Sequence, residues 1–355
     1  MTSTTSAPPI PGTRLVDAAQ LLRWGTACLM QVGMAQPDAH SLADSLVQTS
    51  LWGVDSHGIA RLPHYLERLR RGSIRACPNI RVEETGPCTA QVHGDQGQGI
   101  LVAHRANAVA MELARKNGIG AVGVSDSSHC GAMALYTRPA AQAGLVAIAF
   151  THADSIAAPH GGYKPFLGTN PISMAFPREG HAPVCLDMAT TSIPWNRVMN
   201  ARREGVDLPA GVSVDVDGQP TTDAQQTRAL VPLGGEEFGY KGYALALVID
   251  LLCGPLNGNP FGSQIPPMFA DLDAPRRLGA FFIVIDPMRF AGGPQLAQVV
   301  QAMAMTLAAE PGAPLMPGDP QLAAQAQRSV QGIPVEPGLL AEMAQWSATL
   351  GVESL

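Results

Sequence analysis

The chain has 355 residues, with 23 Lys+Arg against 29 Asp+Glu for a formal net charge of −6, and it is 46% hydrophobic but only 15% charged. That charge content is well below the roughly 25% of an average globular chain, so wholesale disorder is excluded, and at about 100–200 residues per domain the length fits two domains or one with an appendage. The 37 Gly and 30 Pro follow no period, which excludes collagen and implies many tight turns, and the mild acidity argues against a nucleic-acid partner, whose phosphates need a basic face.

The opening MTSTTSAPPIPGT lacks the basic start and apolar core of a signal peptide and reads as a flexible tail over 1–13. Two helices are expected over 14–54. Val16, Ala19, Leu21, Leu22 and Trp24 form one apolar stripe, and Leu42, Leu46 and Leu51 form another after the turn GMAQPDAH. A third helix runs from about Ile59 to Arg71, with Leu62, Tyr65, Leu66 and Leu69 on one face. After Gly72, β-like runs appear at Ile80–Val82, Thr89–Val92, Ala121–Val124, Val146–Phe150, Ile172–Phe176 and Val184–Leu186, with helices at Leu101–Lys116 and Met133–Ala143. A strongly apolar helix from about Gly242 to Leu252 and a strand from Ala280 to Ile285 follow.

From Pro294 the chain is helical again, broken at Pro311–Pro320 and Pro334–Pro337. Phe290–Ala309 carries no formal charge and could be mistaken for a membrane span, but Gln295, Gln298 and Gln301 make one face polar, so a soluble amphipathic helix is expected. The pattern predicts a mixed α/β protein. A helical domain built from 14–75 and 291–355 flanks a central α/β domain over 76–290, and no internal repeat is visible. The six cysteines, at 28, 77, 88, 130, 185 and 253, form no CxxC pair. That fits a reducing cytoplasm better than a disulfide framework and removes thiolate zinc sites.

Gly118-Ile119-Gly120-Ala121-Val122-Gly123 matches GxGxxG, but a helix ends before it and a strand begins inside it. Dinucleotide binding needs the reverse order, with a helix N-terminus after the glycines to meet the pyrophosphate, so these are read as a C-cap and a turn. No Walker loop, HExxH or GxSxG elbow occurs. Four constellations remain. In Asp55-Ser56-His57-Gly58 with Arg61, His64 and Tyr65, a helix starting near Gly58 would gather an imidazole, a guanidinium and a phenol on one side, able to bind an oxyanion. The bland alternative is a capped helix start with solvated side chains. Ser127-Ser128-His129-Cys130-Gly131 lies where a strand opens onto a helix, a place where α/β proteins hold ligands and a histidine can act as acid or base. A lone histidine there is more often structural. The tract His152, Asp154, His160-Gly161-Gly162, Gly168-Thr169-Asn170-Pro171 is weak on its own, and Gly239-Tyr240-Lys241-Gly242 could cradle a phosphate or simply flank a loop. A hydrolase built on Ser56 and His57 carries little weight, because adjacent side chains diverge. The histidines at 57, 129, 152 and 160 have no metal-ligand spacing, so no metal is expected.

DSHGIARLPHYLERLRRGSI (55–74), SHCGAMALYTRPAAQAGLVAI (128–148), GGYKPFLGTNPISMAFP (161–177), LDMATT (186–191), the DxDGxPTTD pattern (215–223), GYKGYALALVIDLLCGPLNG (239–258) and MPGD (316–319) together resemble the type-2 malate/L-lactate dehydrogenase family. ETGPCTA (84–90) and DMATTSIPWNRV (187–198) resemble its ureidoglycolate dehydrogenase branch. The resemblance implies a non-Rossmann mixed sheet flanked by helices, like that of L-sulfolactate dehydrogenase, in a cytoplasmic homodimer with the active site near the interface. It implies direct hydride transfer between C4 of the nicotinamide of NAD or NADP and C2 of a small 2-hydroxy or 2-oxo acid of malate, lactate or ureidoglycolate type. It carries proton transfer onto His129, or onto His57 with Ser56, and substrate contacts onto Arg61, Tyr65 and Thr169. Cofactor contacts fall on Asp187, Met188, Ala189, Arg197, Lys241, Pro317, Gly318 and Asp319. Asp154, shared with ureidoglycolate-type sequences, is expected to hydrogen-bond a nitrogen-bearing substituent. The competing reading on the same scaffold is a cyclic-imine reductase (Δ1-piperideine- or pyrroline-2-carboxylate). That branch has an aspartate where this chain has Arg197, which counts against it.

Overall fold

The computed structural model describes residues 11–355, so positions 1–10 of the expected tail lie outside the described residues. The chain opens with β1 (Arg14–Val16), α1 (Ala18–Gln31) and α2 (Gln36–Leu51). Asp17 starts α1 by accepting the Gln20 N–H at 3.0 Å. The helix expected from Ile59 opens with a 3₁₀ turn over Ile59–Arg61 and runs directly into α3 (Leu62–Arg71), after an earlier 3₁₀ turn at Asp55–His57. Gly58 between the two turns packs closely on α2: a Cβ there would lie 2.1 Å from Ser50 Oγ, and that hydroxyl accepts the Ile59 N–H at 2.9 Å.

Then come β2 (Arg81–Gly86), β3 (Thr89–His93), α4 (Gly99–Asn117), β4 (Ile119–Ser127), α5 (Ala134–Gln142), β5 (Val146–Thr151), β6 (Ile172–Phe176) and β7 (Val184–Met188). α6 (Trp195–Glu204), β8 (Ser213–Val214), β9 (Ala229–Leu230), α7 (Gly235–Cys253), β10 (Leu278–Ile285), α8 (Gly293–Ala308), α9 (Asp319–Gln331), β11 (Ile333–Val335) and α10 (Pro337–Leu350) complete the chain. Neither α6 nor the two small strand pairs were expected from periodicity.

Seven strands form one sheet in the order β2-β3-β4-β10-β5-β6-β7. Only β3 and β4 run parallel, and every other neighbouring pair is antiparallel. Alternation divides its two faces. Ala280, Phe282 and Val284 of β10, with Ala147 and Ala149 of β5, join the main core on the side of α4 and α5. Phe281 and Ile283, with Ile148 and Phe150, meet Ile249 and Cys253 of α7 on the other side. The main core is continuous from Val16 and Leu21 to Ile333 and Met343, so both chain ends share it with the sheet. β1 pairs antiparallel with β11, and the Trp24 indole N–H of α1 donates to Ser347 Oγ of α10 at 2.9 Å. A separate small core joins Ile193, Val198 and Ala201 around α6 to Leu208 and Leu230. Among the described residues, no helix is long and apolar enough to cross a membrane.

Candidate active site

A cavity of about 950 Å³ opens between the 3₁₀ turns before α3, the loop after β4, the segment 266–277, the end of β7, the start of α6 and the loop 315–321. That is at the upper end of the roughly 300–1,000 Å³ range of small-molecule and cofactor clefts. Its two ends differ in kind. One gathers Ser56, His57, Arg61, His129, Asp154 and Arg276; the other is walled by Leu186, Met188, Ile193, Trp195, Leu315 and Met316.

At the polar end the turn of the chain at Gly58 brings His57 against His129, their rings stacked with centroids 5.5 Å apart. Ser56 Oγ lies 2.8 Å from His57 Nδ1, so these adjacent side chains do meet, contrary to the expectation that they diverge. Asp55 pairs with Arg328 instead and does not back the histidine. The Tyr65 hydroxyl, one turn into α3, lies 2.6 Å from His129 Nδ1. Arg61 anchors its Nε on the Ser56 carbonyl oxygen at 2.5 Å. Its guanidinium lies over the Phe269 ring at 5.5 Å, and Arg61 lines the cavity without a carboxylate partner. Desolvation, then the charge of Arg61, lowers the His57 pKa to about 3. His129 is likewise held well below its ordinary value by desolvation and by His57, Arg61 and Arg276. Both imidazoles are therefore neutral at neutral pH, and burial pushes the Tyr65 phenol up, keeping it protonated.

The buried Arg68 holds this end in shape. It donates to the carbonyls of Met268, Asp271, Leu272 and Ala274 and to Ser73 Oγ, which fastens the segment 266–277 to α3. Met268, Phe269 and Arg276 are thereby set along the cavity.

At the other end Asp187 accepts the Ala134 N–H at the start of α5 at 2.8 Å. The Cys185 N–H donates to the Pro317 carbonyl at 2.9 Å, which brings the loop 315–321 against β7. Gly318 sits at φ +98°, and a Cβ there would lie 2.8 Å from Arg138 Nη2 and 3.1 Å from the Cys185 carbonyl oxygen. The positive φ and the close backbone of Cys185 favour glycine here. Arg138 lies between the two elements with its buried Nε unpartnered and its guanidinium over Trp52 at 5.1 Å. Exposed backbone, apolar walls and a spare cationic donor fit a nicotinamide dinucleotide.

Of the residues expected in the site, Ser56, His57, Arg61, His129, Asp154, Thr169, Asp187, Met188, Ala189, Pro317 and Gly318 line this one cavity, with Tyr65 behind His129. Three others do not line it either. Arg197 is exposed on α6, where its neighbours Trp195, Asn196 and Met199 face the cavity. Lys241 is exposed with its ammonium over the rings of Phe238 and Tyr240. Asp319 turns back to accept the Met316 N–H at 2.9 Å. His152 lies outside the site, its Nδ1 3.0 Å from Asp250 and its Nε2 accepting the Gly279 N–H at 2.8 Å. Asp154, expected free for the substrate, has both oxygens engaged, one by Arg276 and the other by the Met268 N–H at 3.1 Å. Sequence reasoning missed Arg276, Arg138, Phe269 and Trp195. The available signal was an arginine at the foot of an apolar core strand in a chain so poor in charge.

The family model described as malate/L-lactate dehydrogenase matches residues 16–344. The chain is 37% identical over 312 residues to ureidoglycolate dehydrogenase (NAD(+)) from Escherichia coli O157:H7, covering 86% of this chain and 88% of that protein. It is 34% identical over 282 residues to (2R)-3-sulfolactate dehydrogenase (NADP(+)) from Chromohalobacter salexigens, covering 79% and 83%. Its fold is that of sulfolactate dehydrogenase from Methanocaldococcus jannaschii, with a TM-score of 0.89 at 30% identity over 96% of this chain and 98% of that one.

Proposed function

Because the chain belongs to the malate/L-lactate dehydrogenase family, we propose that it is an NAD(P)-dependent dehydrogenase acting at C2 of a small 2-hydroxy or 2-oxo acid. The observation that carries this reading is the pair of stacked imidazoles beside an arginine with no carboxylate partner, all three lining the same cavity.

When bound, the nicotinamide supplies or takes the hydride. Everything else falls to the protein. Arg61 grips the substrate carboxylate through its terminal nitrogens and so fixes C2. His129 moves the proton. The Tyr65 hydroxyl holds Nδ1; in the tautomer whose Nδ1–H donates to Tyr65 Oη, Nε2 is bare and takes the hydroxyl proton during oxidation, then returns it during reduction. His57, held by Ser56 and stacked on His129, limits the ring's freedom to turn. Desolvation is the main cause of the low values of both histidines, and a carboxylate on Arg61 would offset the smaller contribution of its charge, so binding makes the base stronger. Thr169 completes the pocket between the two ends. Asp187, Met188, Ala189, Pro317 and Gly318 would hold the dinucleotide, with Arg197, Lys241 and Asp319 retained as further contacts on their family positions alone.

The protein works as a homodimer in the cytoplasm. Val248 and Leu251 of α7, each about half exposed, and Leu256, 61% exposed, support a partner surface. The described cysteines are all free, as a reducing compartment allows. Sedimentation at twice the 37.1 kDa chain mass supports the dimer, and a single-chain mass refutes it.

The test is nicotinamide absorbance with NADH and NADPH in turn, against oxaloacetate, pyruvate and piperideine-2-carboxylate, with malate and ureidoglycolate in reverse. Turnover of an open-chain acid supports the reading. Turnover of the imine alone means that the reductase chemistry is the right one.

A further inference from the structure

α9 begins in the wall of one end of the cavity and runs past the turn that builds the other. Gly318, Pro320 and Gln321, at its start, line the cavity. About two turns further on, α9 meets the segment that leaves α2 and carries Ser56 and His57. Gln325 Oε1 accepts the Trp52 indole N–H at 3.2 Å, and a Cβ on Gly53 would lie 3.2 Å from the Ala324 methyl. Arg328 makes the firmest contact. Its Nη1 donates to the Ser50 carbonyl oxygen at 2.6 Å and to Asp55 Oδ1 at 2.5 Å, and its Nη2 donates to Asp55 Oδ2 at 2.9 Å.

On charge alone a half-exposed pair of this kind contributes little to stability. A carboxylate held by two parallel bonds is nevertheless fixed in direction as well as in distance. Here it is the carboxylate of the residue before Ser56, and Ser56 in turn holds His57 through Oγ at 2.8 Å and Arg61 through its carbonyl oxygen at 2.5 Å. Gly53, at φ +77°, and Gly58 bracket Asp55-Ser56-His57, so the backbone at both sides of the turn is free to swing. Arg328 clamps the turn between those two points. Resting on the dehydrogenase reading above, we propose that Arg328 and Asp55 are positioning residues through which α9 couples the two ends of the cavity. The loop 315–318, once a dinucleotide rests on it, steadies α9, and α9 sets the turn that aims His57 and Arg61 at the acid. Neither Arg328 nor Asp55 lines the cavity, so neither touches a ligand. Linkage makes the effect reciprocal: an acid held at Arg61 tightens the dinucleotide by the same factor.

The test is a fluorescence titration of NADH and of NADPH, each with and without oxamate, an unreactive mimic of a 2-oxo acid. It is run on the wild type, Arg328→Lys, Arg328→Gln and Asp55→Asn, with melting temperatures and turnover of oxaloacetate and pyruvate measured alongside. In the wild type, oxamate should lower the dinucleotide Kd by about fivefold or more, the lower end of ordinary coupling between sites. In Arg328→Gln and Asp55→Asn that factor should fall below about twofold, while Kd without oxamate stays within about threefold of the wild type. Arg328→Lys keeps the charge but loses the fork, so its factor should lie between. Contact between oxamate and the nicotinamide itself would survive all three substitutions. An undiminished factor in Arg328→Gln or Asp55→Asn therefore overturns the proposal, and a lowered melting temperature with the factor intact assigns the pair a structural role only. Should Arg328→Gln fail to fold, Asp55→Asn and Arg328→Lys decide by the same criterion. A wild type that turns over an acid but shows no oxamate effect also overturns the coupling. Dinucleotide binding with neither turnover nor an oxamate effect refutes the 2-hydroxy acid reading itself.

Discussion

The two ends of the cavity are built by different means. At the polar end, side chains do the work, and buried polar anchors hold them: Arg68 on four carbonyls, Tyr65 on His129 and Ser50 on the Ile59 N–H. At the apolar end the wall is backbone and apolar surface, shaped by the Pro317 carbonyl on the Cys185 N–H and by a closely packed glycine at positive φ. Chemistry that moves a proton needs groups fixed to within a fraction of an ångström, whereas a long ligand can be held by many weak contacts. Substitutions should therefore act on the reaction at one end and on affinity or stability at the other.

The largest effect expected is at His129. His129→Ala removes the group that takes the hydroxyl proton and should lower kcat by about 10²–10⁴-fold, with cofactor affinity measured by fluorescence unchanged. A loss of less than tenfold would pass the proton role to His57. Arg61→Ala comes next. Losing the carboxylate grip should raise KM by roughly 10–10²-fold, from about 1.5–3 kcal/mol for hydrogen bonds to a charged group. An unchanged KM for every acid tried would show that Arg61 does not hold the carboxylate.

This difference between the ends also decided what the sequence could reveal. Ser56, His57, Arg61 and Tyr65 lie within ten residues, and helical spacing nearly sufficed to gather them although the α-helix itself begins only at Leu62, after two 3₁₀ turns. Strands in the central sheet were legible because their apolar alternation matches two buried faces. GxGxxG was rightly set aside: Gly118 caps α4 at φ +94°, and a Cβ on Gly120 would lie 2.2 Å from the Ala110 carbonyl oxygen, so these glycines serve helix-to-strand packing. Arg276 escaped notice because its partner Asp154 is 122 residues away and only the fold joins them. Asp187, Met188, Ala189, Pro317 and Gly318 of the opposite wall were reached through the family resemblance alone, because backbone carbonyls and N–H groups carry no letter in the sequence. The strands β1 and β11 were too short to show a period, and they pair across nearly the whole chain.

A smaller effect tests the glycine wall. Gly318→Ala places a Cβ at positive φ against Arg138 and Cys185 and should destabilise the protein by about 1–3 kcal/mol. The cofactor KM should rise while kcat on saturating cofactor holds. Thermal melting and initial rates separate the two, and an unchanged melting temperature with unchanged KM would mean that the loop 315–321 yields freely.

The smallest effect expected is a missing one, and it sharpens the polar end most. A base with an ordinary histidine pKa near 6.5 would lose roughly tenfold of its active, unprotonated form between pH 8 and pH 5.5. His57 is lowered to about 3 and His129 is also well below 6.5, because the charged form of each is desolvated beside Arg61. The free enzyme therefore keeps its neutral imidazoles through that range, and kcat/KM for oxidation, which reports the free enzyme, should fall by less than about twofold. Stability responds in the opposite sense to a surface histidine that gains an anion. Below pH 6.5 the unfolded chain binds protons that the folded one refuses, so acid weakens the fold progressively from there down. One other group titrates in the window. Asp187 is pushed up to about 6 by desolvation, against the pull of the Ala134 N–H, and its protonation adds an acid limb from the opposite end of the cavity. Asp187→Asn separates them. An acid limb near pH 6 that disappears in this variant belongs to Asp187, and one that persists refutes the neutral-histidine base.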